Sequence, residues 1–329
     1  MKRRDFLGIL SGAAAAWPLV TLAQQRTVPV IGFLSPMAAA NATFFRDAFR
    51  QGLEEAGFVD GQNVKIEYRW ADGEYDRLPA LAAELVRMRV AVIFTMGDAA
   101  YAARAAQPPA AHDAIPIVFA LGDDPVAVGL VASLNRPGGH ITGGTSFGHS
   151  IGPKKLEFLR QFVPAAKTFG LLINPKQKGH IEAQDIEQTA GKFALKVRTL
   201  YASNPGELDE AFAIAGREHI DGLIITVDAY FFSESSRLGS LAARYAVPTI
   251  GSLRPFAAAG GLVSFNGSVP DNMHQTALYV ARVLKGEKPA DLPVLLPTKY
   301  DLIIDLKAAK SLGLTVPLPL LTLAADVIE

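Results

Sequence analysis

The sequence of 329 residues predicts an α/β protein with two doubly wound parallel-sheet lobes. Short apolar runs rich in β-branched residues alternate with stretches of helical periodicity, as in strand–helix units with right-handed crossovers. Several runs, such as residues 90–94, are continuous rather than alternating, as expected for strands that helices cover on both faces. The alternation comes in two sets, and a chain of this length suits two hydrophobic cores better than one.

The first 23 residues predict an export signal peptide. Residues 2–4 are basic, and no charged residue occurs between Phe6 and Gln25. The apolar segment ends in a small-x-small pattern at residues 21–23, which is typical of cleavage near Ala23. Paired arginines ahead of Phe-Leu are typical of a twin-arginine (Tat) signal. Two glycines and a proline weaken the alternative of a membrane-spanning anchor, so we expect a mature protein in the periplasm.

The first lobe is assigned to residues 28–145 together with residues 268–289. Its helical patterns are bounded by glycines, and its apolar runs by glycine, proline and aspartate. The expected strands are residues 28–35, 64–70, 91–97 and 115–122. The expected helices are residues 44–53, 78–86, 99–106, 126–134 and 276–284.

The second lobe is assigned to residues 146–267 together with residues 290–329. A glycine-rich stretch at residues 136–145 separates the two sets of elements. We therefore expect a hinge of three crossings, near residues 145–152, 265–269 and 288–292. The expected strands are residues 169–174, 197–202, 222–228, 247–251, 262–265 and 300–305. The expected helices are residues 156–163 and 306–312.

The composition excludes several classes of protein. Basic and acidic residues number 32 each, and removal of three basic residues and one acidic residue with the signal leaves a net charge of about −2. This balance does not favour a nucleic-acid-binding surface, which needs clustered positive charge. The chain has no cysteine, so neither disulfides nor a lipid-attachment cysteine is available. After the signal, no segment is long and apolar enough to span a bilayer. We expect a soluble monomer.

Candidate ligand-binding residues follow the predicted strands, because open parallel sheets bind ligands beyond the carboxyl ends of their strands. Glycines beside free helix N–H groups can admit an anion, aspartates can hold an ammonium, and aromatic rings can stack on an apolar body. The more ordinary interpretation of each is a helix cap or a core residue. The candidates are Ser35, Gly97, Asp98, Asp124, Asp228, Tyr230, Arg254 and Phe256.

Signatures of enzymes are weak in this chain. Residues 144–148 match G-x-S-x-G, so an exported serine hydrolase using Ser146 is the alternative function, although the expected strand and helix do not flank the serine directly. No phosphate-binding or dinucleotide-binding glycine motif occurs. The six histidines are scattered without metal-ligand spacing, and we expect neither a metal nor a cofactor. Asp123 and Asp124 fit a helix cap better than an acid/base pair.

Ordered motifs along the whole mature chain resemble one family. They are GFLS at 32–35, GQNVKIEYR at 61–69, RLPALAAELV at 77–86, IPIVF at 115–119, DPV at 124–126, GLV at 129–131, RPGG at 136–139, TG at 142–143, AGGL at 259–262, KGEKPADLP at 285–293, PTKY at 297–300 and LKAAKSLGL at 306–314. The chain thereby resembles the ABC-transporter substrate-binding proteins of the tryptophan/aromatic-amino-acid-binding-like type, which have the type I periplasmic binding fold.

The resemblance implies a cleft that closes by hinge bending on a small solute, such as an amino acid or a related organic molecule. It implies delivery of that solute to an ABC permease and its ATPase, without an enzymatic reaction; a sensory membrane receptor is another destination. By position it adds Thr145 to the candidates that line the cleft. Relatives often carry a small Gly or Thr pair where this chain has Gly97-Asp98. A carboxylate there disfavours an anionic ligand group and leaves open a ligand with a cation or an amino acid in another orientation.

Overall fold

The computed structural model describes residues 28–108, 113–146 and 151–329 of the chain. They form two α/β lobes, each built around its own sheet. The predicted signal peptide and its cleavage site lie outside the described residues. No helix in these ranges combines the length and the apolar character that a membrane span requires.

The first sheet has five strands, all parallel, in the order β2-β1-β3-β4-β5. Three helices that connect these strands lie on the two faces of the sheet. The strands are β1 (Val30–Ser35), β2 (Lys65–Trp70), β3 (Val92–Met96), β4 (Ile117–Leu121) and β5 (Ile141–Thr145). The helices are α1 (Thr43–Glu55), α2 (Leu78–Arg87) and α3 (Ala99–Ala105).

The second sheet has seven strands: β6 (Thr168–Ile173), β7 (Lys196–Tyr201), β8 (Gly222–Ile225), β9 (Thr249–Gly251), β10 (Val263–Gly267), β11 (Tyr300–Asp305) and β12 (Asp326–Ile328). Their order is β12-β11-β10-β9-β8-β6-β7. Strand β11 pairs antiparallel with β10, so β11 and β12 run against the other five strands. The remaining helices are α4 (Ile151–Phe162), α5 (Ile181–Lys192), α6 (Pro205–Arg217), α7 (Ala229–Ser233), α8 (Ser235–Tyr245), α9 (Arg254–Ala258), α10 (Val269–Leu284), α11 (Leu306–Ser311) and α12 (Leu318–Leu323).

The predicted fold class is confirmed, and every predicted strand is present within a few residues of its expected bounds. The helix expected at residues 126–134 is wrong: this segment forms turns. The Asp124 carboxylate accepts hydrogen bonds from the backbone N–H groups of Val126 and Ala127, which starts a turn. Gly129 then takes a positive φ of 71°, which a continuing α-helix does not allow.

Sequence reasoning did not identify β5 as a strand, because its glycines read as a loop. The packing explains the glycines. A Cβ at Gly143 would collide with the backbone of Phe119 on β4, and a Cβ at Gly144 would lie 2.8 Å from Cγ2 of Thr276 on α10. Small residues let β5 approach both neighbours closely.

The chain passes between the lobes three times. It leaves the first lobe after β5, returns between β10 and α10, and leaves again before β11. Residue Leu295 forms a parallel bridge with Gly144, and Tyr300 then pairs with Gly267 on β10. Residues 290–295 therefore lie with the first sheet, not with the second lobe to which the sequence assigned them. The division into domains otherwise stays a prediction.

Helix α10 closes the core of the first lobe. Its apolar face packs on an aromatic cluster in which the ring of Phe49 lies 5.2 Å from that of Phe33 and 4.3 Å from that of Phe94. Gly52 on α1 allows the two helices to approach closely, since a Cβ there would lie 2.8 Å from the Cβ of Ala277. A segment that follows most of the second lobe in sequence thus completes the first.

Candidate binding cleft between the lobes

A cavity of about 50 Å³ lies between the lobes, at the carboxyl ends of strands from both sheets. Asp98 follows β3, Asp123 follows β4 and Ser146 follows β5, while Asp228 follows β8 on the opposite side. This is the edge at which open parallel sheets bind ligands. A space of this size holds about one or two water-sized groups, so a larger solute requires the lobes to stand further apart than they do here.

Asp98 is a buried carboxylate that already bridges the lobes. Its Oδ2 accepts a hydrogen bond of 2.7 Å from the backbone N–H of Lys178 in the second lobe. Burial is the main cause that raises the pKa of Asp98 to about 8; the Lys178 N–H opposes this rise, and the carboxylates of Asp228 and Asp123 add to it. The ammonium of Lys178 lies 5.7 Å above the ring of Tyr101.

Asp123 is only 2% exposed and is incompletely bonded. The backbone N–H of Ile181, at the start of α5, donates to its carboxylate, but Oδ2 accepts no hydrogen bond within the described ranges. Burial, followed by the nearby Glu182 carboxylate, raises the pKa of Asp123 to about 7. Gly179 permits this approach of the second lobe, because it has φ +93° and a Cβ there would lie 2.8 Å from Oδ2.

Asp228 is fully engaged. Its Oδ1 caps α7 through the backbone N–H of Tyr230 at 2.9 Å, and it also accepts from Nδ2 of Asn174 at 3.0 Å. Its Oδ2 accepts from the hydroxyl of Tyr75 at 2.6 Å, a bond that joins the two lobes. Burial raises the pKa of Asp228, while the bonds from Tyr75 and Asn174 oppose that rise.

A buried ion pair holds the backbone that leads to Asp228. Nζ of Lys155 on α4 lies 2.8 Å from Oε1 of Glu182 on α5, and the two side chains are 0% and 5% exposed. Lys155 also donates to the carbonyl of Ile225 and to Oγ of Ser252, both at 2.9 Å. Glu182 Oε2 accepts from the N–H of Val227 at 2.6 Å. The pair thus fixes the ends of β8 and β9.

The rest of the cavity wall is mainly apolar and includes Met96, Val227, Phe232 and Met273. The ring of Phe232 stacks across the cleft on Phe45 of α1, with 6.0 Å between centroids. A groove of about 330 Å³ adjoins the cavity, and Tyr75 and Asp98 line both spaces. The cleft therefore combines carboxylates with surfaces suited to an apolar solute body.

Of the nine candidate residues from the sequence, Gly97, Asp98 and Asp228 line the cavity. Ser35 is buried, and its Oγ accepts from the N–H of Met37 at 3.2 Å. The hydroxyl of Thr145 donates to the carbonyl of Asp123 at 3.1 Å. Asp124 caps its own turn, as described above. These three residues shape the cleft edge from outside the cavity lining.

The other three candidates lie away from the cavity. Phe256 is buried in the core of the second lobe against Gly251 and Gly261. Nε of Arg254 binds the Asp326 carboxylate at 2.8 Å on an exposed face. Tyr230 packs beside Phe231, with 5.8 Å between ring centroids, because α7 turns these side chains into the core. Phe232, one turn after Ala229, reaches the cleft instead.

Sequence reasoning missed several contributors to the site. Asp123 was noted only as a cap, and Phe232 lies in α7, seven residues after the end of β8. The other missed contributors are Tyr75, Gln177, Asn272, Met273 and the Lys155–Glu182 pair. The signal that could have identified them is weak, because they come from loops and helices that meet the cleft only after the lobes assemble.

The geometry does not support a serine hydrolase. Oγ of Ser146 lies 3.4 Å from the carbonyl of Leu121, and none of the described histidines hydrogen-bonds to it. Residues 147–150 of the motif lie outside the described residues. The next described element, α4, begins at Ile151. No cluster of three or more His, Asp or Glu suited to a metal ion occurs in the described ranges.

Comparison with known proteins gives a consistent result. The family model described as ABC transporter substrate binding protein matches residues 19–328. A tyrosine-binding protein of Clostridioides difficile is 27% identical over 274 residues, which are 82% of this chain and 76% of that protein. Among solved structures, a domain from Streptococcus pneumonia in complex with L-Trp is 25% identical, with a TM-score of 0.81, and the match covers 91% of this chain and 99% of that one.

A second solved relative informs on the arrangement of the lobes. The ligand-free, open structure of a substrate-binding protein with adhesive properties from Clostridium difficile is also 25% identical, and the match covers 92% of this chain and 99% of that one. Its TM-score is 0.63. At equal identity, the lobes of this chain are therefore arranged more like those of the Trp complex than like those of the open form.

Proposed function

The chain belongs to the ABC transporter substrate-binding proteins, and we propose that it is the periplasmic receptor of an ABC importer. The observation that carries the proposal is the cavity between the lobes, where Asp98 and Asp123 of one lobe face Asp228 of the other. A pocket lined by both lobes links solute binding to closure, because the solute contacts both halves only when they meet.

The proposed solute is a small organic molecule with an apolar body, such as an amino acid or a related compound. The apolar wall of Met96, Phe232 and Met273 supports this class, and so do a relative named for tyrosine binding and another solved with L-Trp. Sugars are less suited, since their many hydroxyls need a more polar lining.

Export and delivery complete the proposal. Basic residues 2–4, the uncharged segment after them and the cleavage pattern near Ala23 support transport to the periplasm, with the Tat route favoured by the paired arginines. There the monomeric receptor would present its closed form to an ABC permease, which an ATPase drives. We place the hinge at the crossings β5–α4, β10–α10 and Leu295–Tyr300.

Thermal unfolding of the purified protein tests solute binding. A solute that binds only the folded state stabilises it by about 2.7 kcal/mol at a hundred times its Kd, so a hit in a screen of amino acids, amines, organic acids and sugars raises Tm. X-ray scattering should then show a smaller radius of gyration with the hit. A complete screen without a shift in Tm would contradict the proposal.

Uptake separates an importer receptor from a sensory one. Deletion of the gene should abolish uptake of the radiolabelled hit at micromolar concentration, and the intact gene should restore it. Unchanged uptake combined with a lost transcriptional or chemotactic response to the hit would favour the sensory receptor.

A further inference from the structure

Two buried polar atoms of the cavity lining have no hydrogen-bond partner among the described residues, and both are acceptors. Oδ2 of Asp123 accepts no hydrogen bond in the described structure, although the residue is 98% buried. Oδ1 of Asn272, on α10 at the same cavity, is likewise buried and unbonded. Buried polar atoms in native proteins are rarely left without a partner. Two free acceptors at one cavity call for a ligand that donates hydrogen bonds.

The charge around the cavity points the same way. Three carboxylates line it, those of Asp98, Asp123 and Asp228, and no Lys, Arg or His side chain lines it among the described residues. Lys155 binds Glu182. Lys176 and Lys178 line the adjoining groove and not the cavity, and the ammonium of Lys178 lies over the ring of Tyr101. A solute carboxylate inside the cavity would add a negative charge beside three buried carboxyl groups, with no cation in the lining to offset it, which costs free energy in a buried site.

Both carboxylate oxygens of Asp228 accept hydrogen bonds from the protein, whereas the carboxylate oxygens of Asp98 and Asp123 are only partly satisfied. Asp228 accepts from Tyr75, Asn174 and the start of α7. Among the described residues, the Asp98 carboxylate accepts a hydrogen bond only from the Lys178 N–H, and the Asp123 carboxylate only from the Ile181 N–H. The open binding capacity thus belongs to the first lobe, at two carboxylates whose charge a bound cation would neutralise.

We propose that the solute is an organic amine whose ammonium binds Asp98 and Asp123, and that a carboxylate on the solute weakens binding. This inference rests on the proposed solute-receptor function and specifies its ligand class. A cavity of about 50 Å³ has room for an ammonium group, and the apolar body lies against Tyr75, Phe232 and the neighbouring wall when the lobes are less tightly closed. This chain thereby differs from relatives named for a free amino acid.

Two matched ligand series test the proposal by calorimetry on protein expressed from the full chain and dialysed free of solute. One series is tyramine, L-tyrosine and 3-(4-hydroxyphenyl)propionate; the other is tryptamine, L-tryptophan and indole-3-propionate. Within each series the ring is constant: the first compound lacks the carboxylate of the amino acid, and the third lacks its amine. In at least one series the amine should bind at least tenfold more tightly than the amino acid, and the acid at least a hundredfold more weakly than the amine.

The inference is overturned if the amino acids bind as tightly as their amines, or if the acids bind within a hundredfold of the amines. Either result leaves the receptor function intact. Binding of only a sugar or an organic acid in the broader screen has the same meaning. Failure of every compound in that screen to bind overturns the receptor function itself. The two failures are therefore distinguishable.

Charge-removing variants locate the ammonium. Asp123→Asn and Asp98→Asn keep the side-chain shape and should each weaken amine binding at least tenfold. Asp305→Asn is the control, because Asp305 is also buried, at 5% exposure, but caps α11 away from the cleft; its effect should stay below twofold. Equal affinity of both cleft variants and the wild type overturns the proposed ammonium site. If one cleft variant fails to fold, the other decides.

Discussion

The two lobes meet at one cavity but bring differently prepared surfaces to it. The first lobe, with its all-parallel sheet, presents Asp98 and Asp123, whose hydrogen-bonding capacity is only partly used. The second lobe, with its mixed sheet, presents Asp228 with both oxygens engaged and the Lys155–Glu182 pair behind it. The comparison teaches that burial of carboxylates serves two purposes here: open acceptors for a solute on one side and a fixed platform on the other.

The largest expected effect tests the platform. Lys155→Met should lower the free energy of unfolding by about 3–5 kcal/mol, because it leaves the Glu182 carboxylate buried without its cation. Urea denaturation measures the loss. The double variant with Glu182→Leu should recover much of the stability, since removal of both charges avoids the unpaired one.

Lys154→Met is the matched control for that substitution. Lys154 is the neighbouring residue, is half-exposed and lies 3.5 Å from Glu157, so its loss should cost less than about 1 kcal/mol. Equal costs at the two lysines would show that the second lobe does not depend on its buried pair.

A smaller effect tests the contact between the lobes. A Cβ at Gly122 in the first lobe would lie 2.7 Å from Cγ1 of Val227 in the second. Gly122→Ala should strain only the tightly closed form, by roughly 1–3 kcal/mol. Because the solute needs the lobes further apart, its affinity measured by calorimetry should be unchanged or higher. The Tm without solute should change little if the lobes can separate.

Gly191→Ala controls for the loss of a glycine. Gly191 lies in α5 and has no heavy atom within 4 Å of a Cβ placed there, so affinity should be unchanged. A lower affinity of Gly122→Ala for the solute would mean that the lobes approach as closely in the bound state as they do here.

The pH dependence of stability tests the open carboxylates of the first lobe. The pKa values of Asp98 and Asp123, about 8 and about 7 in the folded protein, lie above the ordinary value of 3.8. The folded state therefore holds more protons than the unfolded state between these values, and stability without solute falls as pH rises from about 4 to about 8. Between pH 5 and pH 8, Asp98→Asn should reduce that fall by roughly 1–2 kcal/mol. Parallel profiles for variant and wild type would contradict a strongly raised pKa at Asp98.

The smallest effect concerns the outer edge of the second lobe. Arg254 was a sequence candidate for the site, but it forms an exposed ion pair with Asp326. Arg254→Met should cost less than about 1 kcal/mol in urea denaturation and leave solute affinity unchanged. A clear loss of affinity would return Arg254 to the site and extend the cleft beyond the described cavity.

Much of the fold could be predicted from the sequence, because strands covered on both faces appear as continuous apolar runs. Strand β5 was not predicted. Its close packing against β4 and α10 requires glycines at positions 143 and 144, and glycines in a sequence indicate a loop. The helix expected at residues 126–134 failed because the Asp124 cap and Gly129 favour turns there. Tertiary packing explains the missed strand β5, and local backbone geometry explains the wrongly predicted helix.

The site was less predictable than the fold. Asp98 and Asp228 could be found because they lie within three residues of the carboxyl ends of parallel strands. Tyr75 could not, because its hydroxyl bonds a carboxylate 153 positions further along the chain. Between Asp123 and Asp124, only the backbone direction after β4 decides which one faces the cleft, and a sequence does not specify that direction.

The position of α10 has a consequence for biosynthesis. During translation, the strands of the first sheet leave the ribosome long before the helix that covers Phe33, Phe49 and Phe94 is made. Domains generally fold in order of synthesis. Here the later segment from α4 to β10 can complete most of its own sheet before the first lobe has its last helix. A nascent chain arrested at Gly267 should therefore expose an uncovered aromatic surface that chaperones or proteases can recognise.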